Sequence, residues 1–238
     1  MKRWGHMART FTKLGKEITI AVKQGGPDVT GNPRLRALMA EARSEQMPKE
    51  NIERAIKKAT ESKQGDFKEI VYEGYGPYGI AYLVEAATDN NTRTVANVRS
   101  YFTKCGGSLG TSGSVSFMFD HKCVFRIKYQ EGMDIDELQL ALCECDDDPE
   151  VFIEEQEDKD ENITKNVVIY GAYESYGAIQ KYIEDNGYEL VSGGFERIPN
   201  VDLKDVTPEQ RETLDKLTGL LEDDDDVTNV YNTLKPAE

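Results

Sequence analysis

The feature that most constrains the fold is a change in the spacing of apolar residues near Gly65. Before it, apolar side chains recur at the intervals of an amphipathic helix in three segments, which begin near the N-terminus, at Pro33 and at Pro48. After it, stretches rich in β-branched and aromatic residues alternate with shorter helical stretches. This order predicts the α+β class, with an N-terminal helical bundle followed by small sheet domains.

The part of the chain after Gly65 divides further into predicted strands and helices. Two strand-like stretches meet at a Gly-Pro-Tyr-Gly turn (residues 76–79), which predicts a hairpin. A β-β-α-β-β unit is predicted first, with Val115–Phe119 and Val124–Ile127 as its last strands. An α-β-β-α-β unit with an acidic turn at 158–162 follows. Thr207-Pro208 then begins a helix, and Val227–Leu234 is predicted to be the final strand.

Charge is distributed unevenly along the sequence. Residues 1–63 carry 14 Lys and Arg against 7 Asp and Glu, a net of +7. Residues 64–238 carry 15 against 37, a net of −22, so the chain carries −15 overall. Cations attract phosphates and carboxylates repel them, so the pattern predicts a protein that docks nucleic acid with its basic end. The alternative is that the basic excess is only a solvated surface.

Basic side chains that avoid the apolar stripes are the candidate phosphate contacts. They are Lys13, Lys16, Arg34, Arg36, Lys49, Arg54, Lys57, Lys58, Arg93 and Arg99. Aromatic residues within 1–63 are limited to Trp4 and Phe11, which disfavours base stacking on single strands there. Recognition of the backbone or shape of a duplex or a folded RNA is therefore favoured.

Other patterns predict no catalytic residue, metal site or cofactor. The Gly-rich run 106–113 lacks the Gly-Lys-Ser/Thr ending of a phosphate-binding loop, although its backbone N–H groups could approach a nucleic-acid backbone. Cys105, Cys123, Cys143 and Cys145 lack zinc spacing and are predicted to be free thiols. The run Asp223–Asp226 lacks calcium-loop spacing and is predicted to be a solvated turn. No nucleophile pattern is present, which predicts a protein that is not an enzyme and has no small-molecule substrate.

Location follows from three further observations. The sequence has no apolar run of about 18 residues, the length that a membrane-spanning helix requires. The charged N-terminus is not followed by the apolar stretch of a secretory signal. The four cysteines do not form the framework of a secreted, disulfide-bonded domain. A cytoplasmic protein without a membrane segment is predicted.

Several motifs resemble those of the YebC/PmpR family, which includes a mitochondrial translational activator of cytochrome oxidase subunit one. They are Phe11–Ile18 (FTKLGKEI), Gly25–Asp28 (GGPD), Asn32–Arg36 (NPRLR), Met47–Ile56 (MPKENIERAI), Tyr72–Pro77 (YEGYGP), Thr88–Thr94 (TDNNTRT) and Gly113–Phe119 (GSVSFMF). The resemblance runs in register through nearly the whole chain. Family members usually carry a longer basic segment before the Phe-Thr-Lys motif, whereas ten residues precede Phe11 here.

The resemblance implies three domains around a cleft. The expected boundaries are 1–66 for a basic helical domain, 67–131 with 203–238 for a discontinuous middle domain, and 132–202 for an acidic domain. It also implies a regulator of gene expression that binds DNA and controls transcription. The alternative from the same family is a translation factor that contacts ribosomal RNA and relieves ribosome stalling.

Two other functions are compatible with the composition. The acidic residues 64–238 could make the chain an adaptor for basic proteins, such as those of the ribosome. A hydrolase or nucleotide-binding enzyme would need a site that the sequence does not display. The sequence leaves the choice between DNA and RNA open.

Overall fold

The structure is a computed structural model that describes residues 2–61, 67–157 and 163–237. Within these ranges the chain forms seven α-helices and two four-stranded antiparallel sheets, which confirms the predicted α+β class. The acidic turn predicted at 158–162 lies outside the described residues.

The helices and strands follow the predicted order with two exceptions: the predicted strand Val115–Phe119, described below, and a two-residue strand, Ser108–Leu109, inside the Gly-rich run, which was not predicted. The helices are Lys2–Gly25 (α1), Pro33–Ser44 (α2), Lys49–Glu61 (α3), Asn91–Lys104 (α4), Ile135–Leu142 (α5), Tyr176–Asp185 (α6) and Pro208–Glu222 (α7). The strands are Lys68–Tyr75 (β1), Ala81–Thr88 (β2), Ser108–Leu109 (β3), Phe119–Lys128 (β4), Glu150–Glu157 (β5), Ile163–Ala172 (β6), Leu190–Pro199 (β7) and Val227–Asn232 (β8).

The first sheet has the order β3-β1-β2-β8 and contains the predicted hairpin of β1 and β2. Helices α4 and α7 supply the apolar side chains that pack on it. The ring of Phe102 meets the ring of Tyr82 edge-on at 5.8 Å, and Leu214 lies in the same core. Helix α7 begins where predicted, because Thr207 and Gln210 form a reciprocal capping box.

The second sheet has the order β5-β6-β4-β7, and α5 and α6 cover one of its faces. It includes a strand that the sequence assigned elsewhere. Val124–Ile127 lies in β4, which pairs with β6 from Lys122 to Lys128 and not with the first sheet. The predicted strand Val115–Phe119 was wrong, because residues 116–118 form a 3₁₀ turn. The N–H groups of Val115 and Ser116 donate to the carboxylate of Glu73 instead of to a neighbouring strand.

The chain divides into two compact units. Unit 1 contains Met1–Ile20, Lys57–Asp120 and Arg197–Glu238, and unit 2 contains Ala21–Ile56 and His121–Glu196. Since the helices of residues 2–61 are shared between the units, the division into one helical and two sheet domains stays a prediction. None of the described helices combines the length and the apolar character needed to cross a membrane.

Candidate nucleic-acid interface

Helix α3 presents the most exposed group of the predicted phosphate contacts. Its apolar stripe is buried through Ile52, Ala55 and Ala59, so the basic side chains on the other faces point to solvent. The Lys49 side chain is 88% exposed and lies 3.5 Å from Glu53, and the Lys57 side chain is 70% exposed and lies 3.9 Å from Glu61. Exposed pairs of this kind contribute little free energy, so both ammonium groups are available to a phosphate.

Three further cations are exposed. The Nζ atom of Lys58 lies 5.0 Å from the centroid of the Phe67 ring, a contact that leaves its charge accessible. Arg54 on α3 and Arg99 on α4 are exposed and have no ion-pair partner among the residues that the structure describes. With Lys49 and Lys57, these residues form the group that we call the free cations: Lys49, Arg54, Lys57, Lys58 and Arg99.

Lys16 and Arg93, in contrast, are engaged inside unit 1 by the carboxylate of Asp226. The Nζ atom of Lys16 lies 2.7 Å from Oδ1 of Asp226. Two guanidinium nitrogens of Arg93 donate to Oδ2, at 2.6 and 3.2 Å, and the Thr94 hydroxyl donates to the same oxygen at 2.9 Å. The carboxylate of Asp226 is buried, and it joins α1, α4 and the segment that follows α7.

The hydrogen bonds to Asp226 determine its ionisation. Burial alone would raise its pKa, but the bonds from Lys16, Arg93 and Thr94 outweigh burial and lower the pKa to about 2. Asp224 is buried beside it and accepts hydrogen bonds from Asn97 and from the phenol of Tyr101, at 3.2 and 2.9 Å. Burial, the bond to Asp224 and the nearby carboxylates raise the pKa of Tyr101 to about 12. Asp226 therefore stays ionised inside this network, and Asp224 is joined to it by hydrogen bonds to α4.

The predicted solvated turn at Asp223–Asp226 was consequently wrong for half of its residues. Asp223 and Asp225 are exposed, whereas Asp224 and Asp226 are buried and hydrogen-bonded. Their spacing of two residues and the buried Val227 that follows are the only local signals of this arrangement. The partners of Asp226 on α1 and α4 are too distant in sequence for the pattern to reveal them.

A cleft of about 570 Å³ opens over this network in unit 1. Lys16 and Arg93 line it, but so do Asp89 and the four aspartates of the segment 223–226. Two cations against five carboxylates disfavour a phosphate in the cleft. Among the described residues, no group of three His, Cys, Asp or Glu side chains is arranged to hold a metal ion.

The three remaining predicted residues also make internal contacts. The Lys13 ammonium donates to the carbonyl oxygen of Glu222 at 2.8 Å, and burial lowers its pKa against the opposing effect of Glu222. Arg34 donates to the side chain of Gln24 at 3.0 Å. Arg36 binds Glu184 through two nitrogens, at 2.8 and 3.2 Å, and also donates to the carbonyl oxygens of residues 29 and 30. Bidentate pairing and backbone contacts give Arg36 a structural role in unit 2.

The Gly-rich loop after α4 does bind a carboxylate, but an internal one. The buried Glu73 side chain accepts hydrogen bonds from the N–H groups of Gly113, Val115 and Ser116, at 2.8, 2.7 and 2.8 Å. Of these donors, only Gly113 belongs to the run 106–113 whose N–H groups the sequence offered to a nucleic-acid backbone, and its N–H is occupied by the protein itself. Burial would raise the pKa of Glu73, but the three hydrogen bonds outweigh it and lower the pKa. The four cysteines are free thiols as predicted, with Cys105 and Cys123 buried.

Known proteins are similar to this chain over nearly its whole length. The family model described as the TACO1/YebC protein N-terminal domain matches residues 1–62, and that of the TACO1/YebC second and third domain matches residues 67–234. A protein of Parabacteroides distasonis named "Probable transcriptional regulatory protein" is 59% identical over 98% of this chain and 92% of its own length. A protein of Porphyromonas gingivalis with the same name is 58% identical over 100% of this chain and 94% of its own length.

A solved structure shares the fold. The crystal structure of a conserved hypothetical protein from Aquifex aeolicus superposes with a TM-score of 0.78 at 34% sequence identity. The match covers 97% of this chain and 91% of the other. These matches confirm the resemblance that the sequence motifs indicated.

Proposed function

Because this chain belongs to the TACO1/YebC family, we propose that it is a nucleic-acid-binding regulator of gene expression that acts by binding and not by catalysis. The names of the relatives favour DNA and control of transcription. Ribosomal RNA is the alternative target, and it would make the protein a regulator of translation in the cytoplasm.

One observation carries this proposal: the free cations stay exposed in a chain that has enough carboxylates to neutralise every one of its basic residues. The sequence holds 29 Lys and Arg against 44 Asp and Glu. Lys16, Arg36 and Arg93 are nevertheless paired internally, while the free cations are left with weak partners or with none in the described ranges. A folded chain that leaves these cations exposed, with weak partners or none in the described ranges, despite its excess of anions is suited to a polyanion.

The predicted phosphate contacts therefore separate into two groups with different roles. The free cations are proposed to contact phosphates directly. Lys13, Lys16, Arg34, Arg36 and Arg93 are proposed to hold α1, α2 and α4 in the positions from which the contacts are made. Contacts to phosphates position a protein without reading bases, so this part of the interface would bind with little sequence preference.

Salt dependence of binding tests the proposal. The double variant Lys57→Glu with Lys58→Glu should weaken binding to a 20-base-pair DNA duplex and to a folded RNA in filter-binding titrations. Each phosphate contact contributes about −0.9 to the slope of log K against log salt on duplex DNA, so losing two contacts flattens the slope by about 1.8.

A matched control separates a local effect from a change in net charge. The double variant Lys128→Glu with Lys181→Glu changes the net charge by the same amount at exposed positions of unit 2. It should leave the slope of log K against log salt as in the unaltered protein. Equal slopes for both double variants would overturn the proposed role of Lys57 and Lys58. Absence of salt-dependent binding by the unaltered protein would overturn the function itself.

The adaptor is a second candidate because residues 121–196 carry 20 Asp and Glu against 6 Lys and Arg. A surface of this charge favours basic proteins. Association with a cellular partner that survives nuclease treatment and is lost at high salt would favour the adaptor over the nucleic-acid regulator.

A further inference from the structure

The second sheet ends in an edge strand, β5, whose outer side is open. β5 pairs with β6 along its whole length, from Glu150 to Glu157, and with no other strand among the described residues. The opposite edge strand, β7, is buried or half-buried from end to end, whereas Phe152 and Ile153 of β5 are 43% and 40% exposed. β5 is therefore the edge of this sheet at which another strand can be added.

The hydrogen bonds of β6 show which backbone groups of β5 face the open side. The N–H group of Tyr129 donates to the carbonyl oxygen of Lys165, so Lys165 directs its backbone groups toward β4. Successive residues of a strand direct these groups to opposite sides, so Asn166 directs its own toward its β5 partner, Glu154. The β5 residues that direct their N–H and C=O groups outward are therefore Val151, Ile153 and Glu155. Within the described ranges, no group bonds to these outward donors and acceptors.

The charged side chains of β5 do not protect this edge. Lys122 and Arg126 of β4 bind the carboxylates of Glu150 and Glu154, the latter at 3.2 Å. Since β6 lies between β4 and β5, both carboxylates reach across β6 and away from the open side. Proteins commonly protect an edge strand with a proline, a lysine or a bulge. β5 contains neither residue, and its register with β6 is unbroken.

We propose that β5 accepts an extended, basic segment of a partner protein as an additional strand of the second sheet. The added strand would bond to the outward backbone groups of β5, and its side chains would pack against Ile153 on one face and Phe152 on the other. This inference goes beyond nucleic-acid binding, because the free cations take no part in it. It assigns a binding surface to the adaptor candidate.

Charge favours a basic partner over a second copy of the chain or a nucleic acid. Residues 129–157 contain 12 Asp and Glu and no Lys or Arg. Asp147 and Asp148, just before β5, and Asp136 and Glu137 on α5 are exposed and form no ion pair within the described ranges. Pairing of β5 with β5 of a second copy would bring like charges together, and a phosphodiester backbone would be repelled. Lys and Arg side chains of an added strand would meet carboxylates that still lack a counter-ion.

Peptide binding to the full chain, followed by fluorescence anisotropy, tests the proposal. The probe is a labelled peptide as long as β5 in which lysine and valine alternate. One comparison peptide is N-methylated at its inner amides, so it keeps the charge and side chains but loses the backbone donors. A second comparison peptide carries glutamate in place of lysine.

Two substitutions at one position test the protein side of the contact. Ile153→Pro removes an outward N–H group without removing a hydrogen bond to β6, a position at which an edge strand tolerates proline. Ile153→Thr is the matched control, because it keeps the N–H group and the branched side chain. Circular dichroism and urea denaturation establish that both variants fold as the unaltered protein does.

The unaltered protein is expected to bind the basic peptide. N-methylation of the peptide or Ile153→Pro should weaken binding about tenfold or more, and Ile153→Thr should keep it within about threefold. On binding, the amide hydrogens of Val151, Ile153 and Glu155 should become protected from exchange. Those of Phe152 and Glu154 should change little, because β6 already binds them.

Four outcomes would overturn the inference. Equal binding of the N-methylated and unmodified peptides would show attraction by charge alone, and this comparison decides the matter even if Ile153→Pro does not fold. No binding of the basic peptide, or equal binding of the acidic one, would refute the partner proposed. Self-association of the chain that Ile153→Pro abolishes would make a second copy the occupant. The salt slope that tests Lys57 and Lys58 is measured separately, so the proposed function stands or fails independently of these results.

Discussion

Two helices of unit 1 are joined through hydrogen bonds to the carboxylate of Asp226. It accepts hydrogen bonds from Lys16 of α1 and from Arg93 and Thr94 of α4. A buried carboxylate is costly unless charged and polar partners surround it, and these three groups meet that condition. Removing the charge of Asp226 leaves the mostly buried ammonium of Lys16 and the hydroxyl of Thr94 without their partner, so the network should respond strongly to a substitution at this position.

Substituting Asp226 by asparagine should therefore destabilise the protein. The asparagine amide carries no charge to balance those of Lys16 and Arg93. Its NH₂ group is also a donor, and it would face the groups that donate to the carboxylate in the unaltered protein. We expect a loss of roughly 2–4 kcal/mol in the free energy of unfolding, measured by urea denaturation at pH 7. The control is Asp225→Asn, which makes the same chemical change on an adjacent exposed side chain. Equal losses for both variants would show that the network has no special stabilising role.

At the scale of single elements, local signals predicted the hairpin of β1 and β2 and the start of α7. The Gly-Pro-Tyr-Gly turn and the Thr207-Pro208 cap each specify their element within a few residues. The sheet to which β4 belongs could not be predicted, because its pairing partner β6 lies about 40 residues further along the chain. Val115–Phe119 has strand-like composition, but the distant Glu73 side chain takes the N–H groups that a strand would use.

In the candidate site, too, local signals could be predicted from the sequence and long-range contacts could not. The exposed basic face of α3 follows from helical periodicity alone, so Lys57 and Lys58 could be placed on the surface from sequence. The internal roles of Lys16 and Arg93 depend on Asp226, which lies more than 130 residues away from either. A basic residue looks the same in sequence whether it meets solvent or a buried carboxylate.

Helix α2 carries a carboxyl group whose ionisation should couple to stability. Burial and the neighbouring Glu45 raise the pKa of Glu41 to about 7, and Arg126 of β4 opposes them in part. The folded pKa lies above the ordinary value of 4.5, so the folded chain binds more protons than the unfolded chain between these values. The contribution of Glu41 to the free energy of unfolding is therefore most favourable below about pH 4.5 and is lost as pH rises through 7.

Glutamine at position 41 removes this titration. At pH 8 the Glu41→Gln variant should be more stable than the unaltered protein by up to about 3 kcal/mol, and near pH 4.5 the difference should vanish. Thermal unfolding followed by circular dichroism between pH 4.5 and 8 measures the difference. The control is Glu50→Gln on an exposed position of α3. A constant difference in melting temperature across this range would contradict the raised pKa.

At the scale of the whole molecule, two kinds of charge are combined in one chain. The free cations attract phosphates, and the carboxylates of residues 64–238 repel them. A polyanion that approaches such a protein is repelled from most orientations. Selective docking can therefore arise from charge distribution before any base is recognised.

Ultraviolet crosslinking in cells, followed by sequencing of the nucleic acid attached to the purified protein, tests whether the exposed cations of α3 bind nucleic acid. The unaltered protein should recover defined positions in promoter DNA or in ribosomal RNA, which also decides between transcription and translation. The Lys57→Glu with Lys58→Glu variant should lose that recovery, and the Lys128→Glu with Lys181→Glu control should keep it. Recovery no higher than background for the unaltered protein, or equal recovery for both variants, would contradict the proposed function.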